Sequence, residues 1–305
     1  MSKLRIGLSR DIDFKLKKNF HGFFIENLKN KLNYNAIIIT SSTQLDHKLI
    51  NKSKKLKLIF IMSLHLISEI DLKKLRKDIK ILWFGKRSKQ VLKKINATPE
   101  FIFGLIILLS KNFLNIQNTI YKNTWEPRGT ALLSFEKMLS NSKIGIIGYG
   151  RIGKKLKSIA KSFGIETLVY SNKKIKNKKS LNYIAENADF VTINLSLNSS
   201  TKNLIDKDFF RKMKKNSYFI NTAKGEIVNY KHLLKYLGKN IKGAAVDVYK
   251  IERASDREFQ MLHNYANKNN NLILTPHIAG GTLDSLVKLQ EHSLDMIKDY
   301  FRQMQ

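Results

Sequence analysis

One short segment constrains this chain more than any other. Lys143-Ile-Gly-Ile-Ile-Gly148-Tyr-Gly150-Arg-Ile-Gly153 places three spaced glycines between an apolar run and a stretch of helical spacing at residues 154–163. In a strand–turn–helix context each glycine has a separate task. Gly148 permits the tight turn, Gly150 lets the backbone approach a pyrophosphate, and Gly153 lets the helix pack close to the strand. The helix N-terminus adds unpaired N–H groups and a positive dipole end. The segment therefore implies a parallel βαβ unit that binds a dinucleotide, NAD or NADP, with Tyr149, Arg151 and Ile152 lining the turn.

The remainder of the chain reads in the same idiom. Apolar runs at residues 4–8, 36–40, 57–62 and 79–84 predict strands, and residues 14–32 and 68–76 have helical spacing between them. A second series follows the glycine turn, with strands at 144–147, 167–170, 190–194, 218–221, 243–246 and 272–274 and a final helix from about residue 283. Between the two series, Thr98 and Pro99 open a long predicted helix to Tyr121, with Thr98 as its N-cap. Its apolar run at 101–109 is about half a membrane span and ends at Lys111, so it reads as a buried helix. At 305 residues the chain exceeds one ordinary domain. The predicted class is α/β, with two Rossmann-like or flavodoxin-like domains, doubly wound parallel sheets and an interdomain cleft. The substrate domain would span 1–97 completed by 283–305, and the dinucleotide domain 98–282.

Composition removes several function classes. The chain has no cysteine, which excludes a disulfide framework, a thiolate zinc site, an iron–sulfur cluster and a cysteine nucleophile; no metal site is expected. The first residues, MSKLRIGLSRDIDF, are charged from the third position and lack the apolar core of a signal peptide, so a cytoplasmic location without membrane attachment is expected. The formal charge is +32, from 56 Lys and Arg against 24 Asp and Glu. The basic residues are dispersed and accompany a general Lys, Asn and Ile enrichment, so a nucleic-acid partner is not expected, while a preference for anionic substrates is.

The acid that ends the second strand of NAD-preferring folds and bonds the ribose is missing. Val169-Tyr170-Ser171-Asn172-Lys173-Lys174 stands there instead. Ser171, Asn172 and Lys173 suit a 2′-phosphate, which points towards NADP or dual use. Downstream, Asn221-Thr-Ala-Lys224, Gly243-Ala-Ala-Val-Asp247-Val-Tyr-Lys-Ile-Glu252 and Thr275-Pro-His277-Ile-Ala-Gly280 each begin at the carboxyl end of a predicted strand, where open α/β sheets bind ligands.

With these motifs in this order, residues 143–282 resemble the D-isomer-specific 2-hydroxy acid dehydrogenase family. The resemblance implies interconversion of a small 2-keto acid and its D-2-hydroxy acid. It makes His277 the general acid/base, with Glu252 holding the imidazole and favouring its protonated form. It puts Leu195, Thr201, Thr222, Ala223, Asp247 and Gly280 near the cofactor together with Lys224 and His277, and it makes the helix after Pro99 a homodimer element. Besides Arg253 in place of the proline that usually follows the glutamate, two features depart from the pattern. Lys224 replaces the substrate-binding arginine, giving a point charge in place of a bidentate fork. The usual glycine-rich substrate loop reads Met62-Ser63-Leu64-His65, so Ser63, Leu64 and His65 would line the substrate pocket. These departures leave two expectations: an unusual substrate, or a regulatory nucleotide-binding protein of the same fold with weak or lost activity.

Overall fold

The computed structural model describes residues 4–9, 23–27, 33–40, 43, 46–63, 74–85, 88–121, 138–171 and 179–304. Readings that fall on Leu64, His65, Asn172, Lys173 and Lys174 lie outside the described residues. The chain divides into two compact units, Met1–Ile95 with Thr282–Gln305, and Asn96–Gly281.

The first unit carries a five-stranded parallel sheet of β1 (Leu4–Leu8), β2 (Phe23–Asn27), β3 (Ala36–Ile39), β4 (Leu58–Ile61) and β5 (Lys80–Trp83), in the order β2-β1-β3-β4-β5. Successive residues of a strand face opposite sides, and both sides are apolar. Ile6, Ile38 and Phe60 pack with Leu294 and Ile297 of the terminal helix Leu283–Arg302, whereas Ile37, Ile39, Ile59 and Ile61 pack with Ile50 and Leu56. Two short helices, α1 (His47–Lys52) and α2 (Lys89–Lys93), complete its described elements. Residues 23–27 correct the helix expected over 14–32. Phe23 and Ile25 are buried while Phe24 is exposed beneath the Arg5 guanidinium, and the segment pairs residue by residue with β1. The period of two and the open edge of β1 outweigh the helical spacing.

The second unit holds β6 (Lys143–Ile147), β7 (Glu166–Tyr170), β8 (Phe190–Ile193), β9 (Ser217–Asn221), β10 (Ile241–Val246) and β11 (Leu272–Leu274) in one parallel sheet of order β11-β10-β9-β8-β6-β7. Its strands alternate with α3 (Ala97–Ser110), α4 (Phe113–Tyr121), α5 (Arg151–Ser162), α6 (Leu181–Asn187), α7 (Lys207–Lys212), α8 (Tyr230–Tyr236) and α9 (Arg257–Ala266). Ile144 and Ile146 pack with α3 and α5 on one face, Ile147 and Val191 with α6 and α7 on the other. Burial on both faces is what the near-continuous apolar strands demand. The single helix expected to reach Tyr121 is two: Asn112 adopts φ +50° between α3 and α4, a conformation asparagine tolerates better than most residues. The first helical residue is Ala97, so Thr98 lies inside the helix instead of capping it. Among the described residues no helix is long and apolar enough to cross a membrane.

Candidate active site

The glycine turn sits where the sheet order reverses, since the chain leaves β6 for β7 on one side and returns to β8 on the other. Such a switch point leaves a crevice at the carboxyl ends of the strands. Gly148 has φ +109°, and a Cβ there would lie 2.5 Å from the Asn194 carbonyl oxygen and 2.9 Å from the Leu195 nitrogen. Gly153 brings the first turn of α5 against the Gly148 carbonyl. Gly150 differs from both: nothing lies within 4 Å of where its Cβ would be. It is also the N-cap of α5 and supplies no side-chain acceptor, and the first turn carries no acid. Open space thus faces the first-turn N–H groups and the positive end of the helix, a cradle that a pyrophosphate fits and a side chain would fill.

Around this cradle, burial holds the Arg151 guanidinium below its usual pKa. Ile152 packs on the core. The Tyr149 ring lies beneath the Lys154 and Lys157 ammonium groups, at 5.7 and 5.6 Å from its centroid. Ser171 follows β7 and is buried. The loop after β8 contains Leu195 and Thr201. The Thr201 hydroxyl is buried, donates to the Ser196 carbonyl at 2.8 Å and accepts from the Asn198 N–H at 2.9 Å. Its visible task is to shape that loop.

Three adjacent strand ends carry the reactive side chains. After β9, buried Asn221 accepts from the Ala223 N–H at 3.0 Å and donates to the Lys224 carbonyl at 3.1 Å, which folds Thr222, Ala223 and Lys224 into a tight turn. The Lys224 side chain is exposed and makes no ion pair among the described residues. Gly225 next to it abuts the backbone of Tyr249 and Lys250, so the turn after β9 touches the loop after β10. That loop holds Glu252 and is tied to α9 by the Lys250–Glu258 ion pair at 2.9 Å. The turn after β11 presents His277. Its Nδ1 lies 2.6 Å from Glu252 Oε1, and both side chains are nearly half exposed, 45% and 46%. With Nδ1 engaged, Nε2 is the nitrogen left to exchange a proton. His277 also sits at φ +55°, a strained conformation for a residue with a side chain and one that accumulates at functional sites.

Asp247, expected near the cofactor, has a visible task in the protein itself. It is fully buried, and its two oxygens accept from Thr275 Oγ1 at 2.6 Å, the Ile278 N–H at 2.8 Å and the Ala279 N–H at 3.0 Å. Its carbonyl also accepts the His277 N–H at 2.9 Å. Asp247 holds the His277 turn in its strained shape. Gly280 is exposed just beyond, and a Cβ there would meet Thr98 Oγ1 at 3.6 Å. Ser63 belongs to the first unit, where it follows β4 and its carbonyl accepts the Phe84 N–H. Sequence reasoning missed the tyrosines. Tyr230 Oη accepts from Asn221 Nδ2 at 2.8 Å and donates to the Val248 carbonyl at 2.6 Å; Tyr249 Oη donates to the Thr275 carbonyl at 3.0 Å. Tyr230 stands outside the quoted motifs, and Tyr249 lies within the 243–252 motif, whose pattern gives no sign of its bond to Thr275. No cluster able to hold a metal ion occurs among the described residues.

Comparison with known proteins agrees with this architecture. Residues 103–279 match the family model described as the NAD-binding domain of D-isomer-specific 2-hydroxyacid dehydrogenases. A protein of Staphylococcus haemolyticus named as a 2-hydroxyacid dehydrogenase is 32% identical over 261 residues, covering 82% of this chain and 77% of that protein. A namesake from Staphylococcus aureus is 31% identical over 272 residues, covering 85% and 80%. Among solved structures, D-2-hydroxyisocaproate dehydrogenase superposes with a TM-score of 0.83 at 19% identity, covering 99% of this chain and 98% of that one. The D-lactate dehydrogenase of Treponema pallidum superposes with a TM-score of 0.81 at 21% identity, covering 98% and 97%. These two likenesses show the fold.

Proposed function

This chain belongs to the D-isomer-specific 2-hydroxyacid dehydrogenase family, with the family's NAD-binding domain in residues 103–279, and from that premise we propose that it interconverts a small 2-keto acid and its D-2-hydroxy acid with His277 as general acid/base. The observation that carries the proposal is the His277–Glu252 pair, 2.6 Å apart, on loops at the same carboxyl edge of the sheet as the glycine cradle. When bound, the nicotinamide supplies a hydride to the keto carbon, or accepts one in reverse. In the reducing direction His277 Nε2 delivers a proton to the carbonyl oxygen, while Glu252 fixes the ring through Nδ1 and stabilises the protonated imidazole. The Lys224 ammonium neutralises the substrate carboxylate and polarises the carbonyl. As a single point charge it orients an acid less tightly than an arginine fork.

The cofactor pyrophosphate is assigned to the Gly148–Gly153 turn. Because β7 ends at Tyr170 and buried Ser171 without an acid, NADP is accepted as well as NAD. The unit with Ser63 receives the substrate, and the unit with the glycine turn receives the nucleotide. We place a homodimer contact on α3 and α4, where Ile107, Phe113 and Tyr121 are exposed, and a cytoplasmic location goes with this reading.

The test is turnover of NADH and of NADPH against pyruvate, hydroxypyruvate, glyoxylate and 4-methyl-2-oxopentanoate, with chiral analysis of the products. Oxidation dependent on a keto acid and yielding the D isomer supports the proposal. An L product, or tight cofactor binding with no turnover on any acid, overturns it.

A further inference from the structure

The three reactive side chains stand on three separate loops, and ordinary strand pairing ends before each of them. Lys224 lies three residues beyond β9, Glu252 six beyond β10 and His277 three beyond β11. Strand hydrogen bonds alone therefore do not set their mutual spacing. Two phenols join these loops in series. Tyr230 is the first residue of α8 and fully buried. Its Oη accepts from Asn221 Nδ2, the same amide that donates to the Lys224 carbonyl, and donates to the carbonyl of Val248. One oxygen thus ties the Lys224 turn to the loop that leads to Glu252. The next residue continues the chain of bonds, because Tyr249 Oη donates to the carbonyl of Thr275. Thr275 in turn donates through Oγ1 to Asp247, which holds the N–H groups of Ile278 and Ala279 around His277.

We propose that Tyr230 and Tyr249 are positioning residues: through Asn221–Tyr230–Val248 and Tyr249–Thr275 they hold Lys224, Glu252 and His277 in one register. The inference rests on reading those three residues as the reacting groups. Both phenols are buried in the protein. Burial keeps both hydroxyls protonated, raising Tyr230 well above its usual range and Tyr249 to about 12, so each remains a donor at any pH where the protein works. The two rings also pack in the core, Tyr249 edge-on to Phe259 at 5.1 Å. A purely structural account would assign them that packing and nothing else.

Tyr230→Phe and Tyr249→Phe keep the rings and remove one oxygen each. Tyr218→Phe is the control, since it removes a buried hydroxyl near the amino end of β9 that has no hydrogen-bond partner among the described residues. In full-length protein loaded with cofactor, kcat should fall about tenfold or more in the two test variants, the expected scale for small misplacement of reacting groups. KM for the keto acid and cofactor affinity should move less than about threefold, because the lost interaction is expressed in the transition state. The control should match the parent. Side-chain ¹⁵N shifts, recorded on protein labelled at its seven histidines, add a readout that needs no turnover. The parent should show His277 in one tautomer with the proton on Nδ1, and Tyr249→Phe should show an averaged ring.

A kcat within about twofold of the parent in both variants, accompanied only by a lower melting temperature, overturns the proposal. If the parent turns over no 2-keto acid, the dehydrogenase reading fails separately. The imidazole shifts still decide the positioning claim, and unchanged shifts in the phenylalanine variants sink it. Should Tyr230→Phe not fold, Tyr249→Phe decides alone.

Discussion

Replacing Asp247 with asparagine keeps the shape of the buried side chain and exchanges one acceptor oxygen for an NH₂ group. The three donors around it, Thr275 Oγ1, Ile278 N and Ala279 N, are all within 3.0 Å. The single remaining oxygen can serve the first two, which share Oδ1, but the new NH₂ then faces the Ala279 N–H, donor against donor. One orphaned buried donor costs about 1–3 kcal/mol, and the two surviving bonds weaken once their acceptor is neutral, so the total is about 2–5 kcal/mol. For a unit of this size that corresponds to a melting temperature lowered by about 5–15 °C. Thermal unfolding by circular dichroism, with cofactor affinity measured by fluorescence, tests the reasoning. Asp247→Asn should show the lowered transition while the dissociation constant for NADH changes by less than about threefold. An unchanged transition together with lost cofactor binding would refute the assignment and return Asp247 to the cofactor.

Gly150→Ala should leave the melting temperature within about 2 °C of the parent, because its Cβ meets nothing in the protein, yet weaken NADH binding about tenfold or more by filling the cradle; titration with NADH distinguishes this from general damage. Tyr218→Phe removes a buried hydroxyl with no partner among the described residues while keeping the stack on Phe190 at 4.9 Å, so stability should hold or rise by about 1 kcal/mol, and a comparable loss in chemical denaturation would reveal a hidden partner such as a bound water. His292 packs against Phe84 and Ser88, and burial pushes its pKa below the ordinary 6.5 against the opposing pull of Asp295 and Asp299. The unfolded chain then binds the proton more readily, so this contribution to stability is present above about pH 6.5 and lost as pH falls below it. Melting curves at about pH 7.5 and about pH 5 should accordingly differ less in His292→Gln than in the parent.

The glycine turn was legible because its meaning is local. Three spaced glycines between an apolar run and a helix leave few conformations, and Gly148 and Gly153 meet backbone neighbours at the expected places. The buried strands were legible because a sheet covered on both faces requires uninterrupted apolar runs. β2 was not, since an edge strand of five residues with Phe24 turned outward is stabilised by β1 rather than by its own pattern. The break at Asn112 was hidden inside a stretch of continuous helical spacing, where one left-handed residue suffices to divide the helix. His277 and Glu252 were named from the resemblance, and the structure pairs them across 25 positions of sequence. The roles of Asp247, Tyr230 and Tyr249 depend on β10 lying between β9 and β11. That adjacency brings together residues 18 to 32 positions apart, and no single motif contains it.

His277 carries the proposed proton transfer. NADH and NADPH oxidation should be followed for the parent and for His277→Ala with the same 2-keto acids, with cofactor binding checked in both. Loss of keto-acid-dependent oxidation in the variant, with cofactor binding retained, is the predicted result. Undiminished turnover in His277→Ala would contradict the assignment of the general acid/base and with it the proposed chemistry.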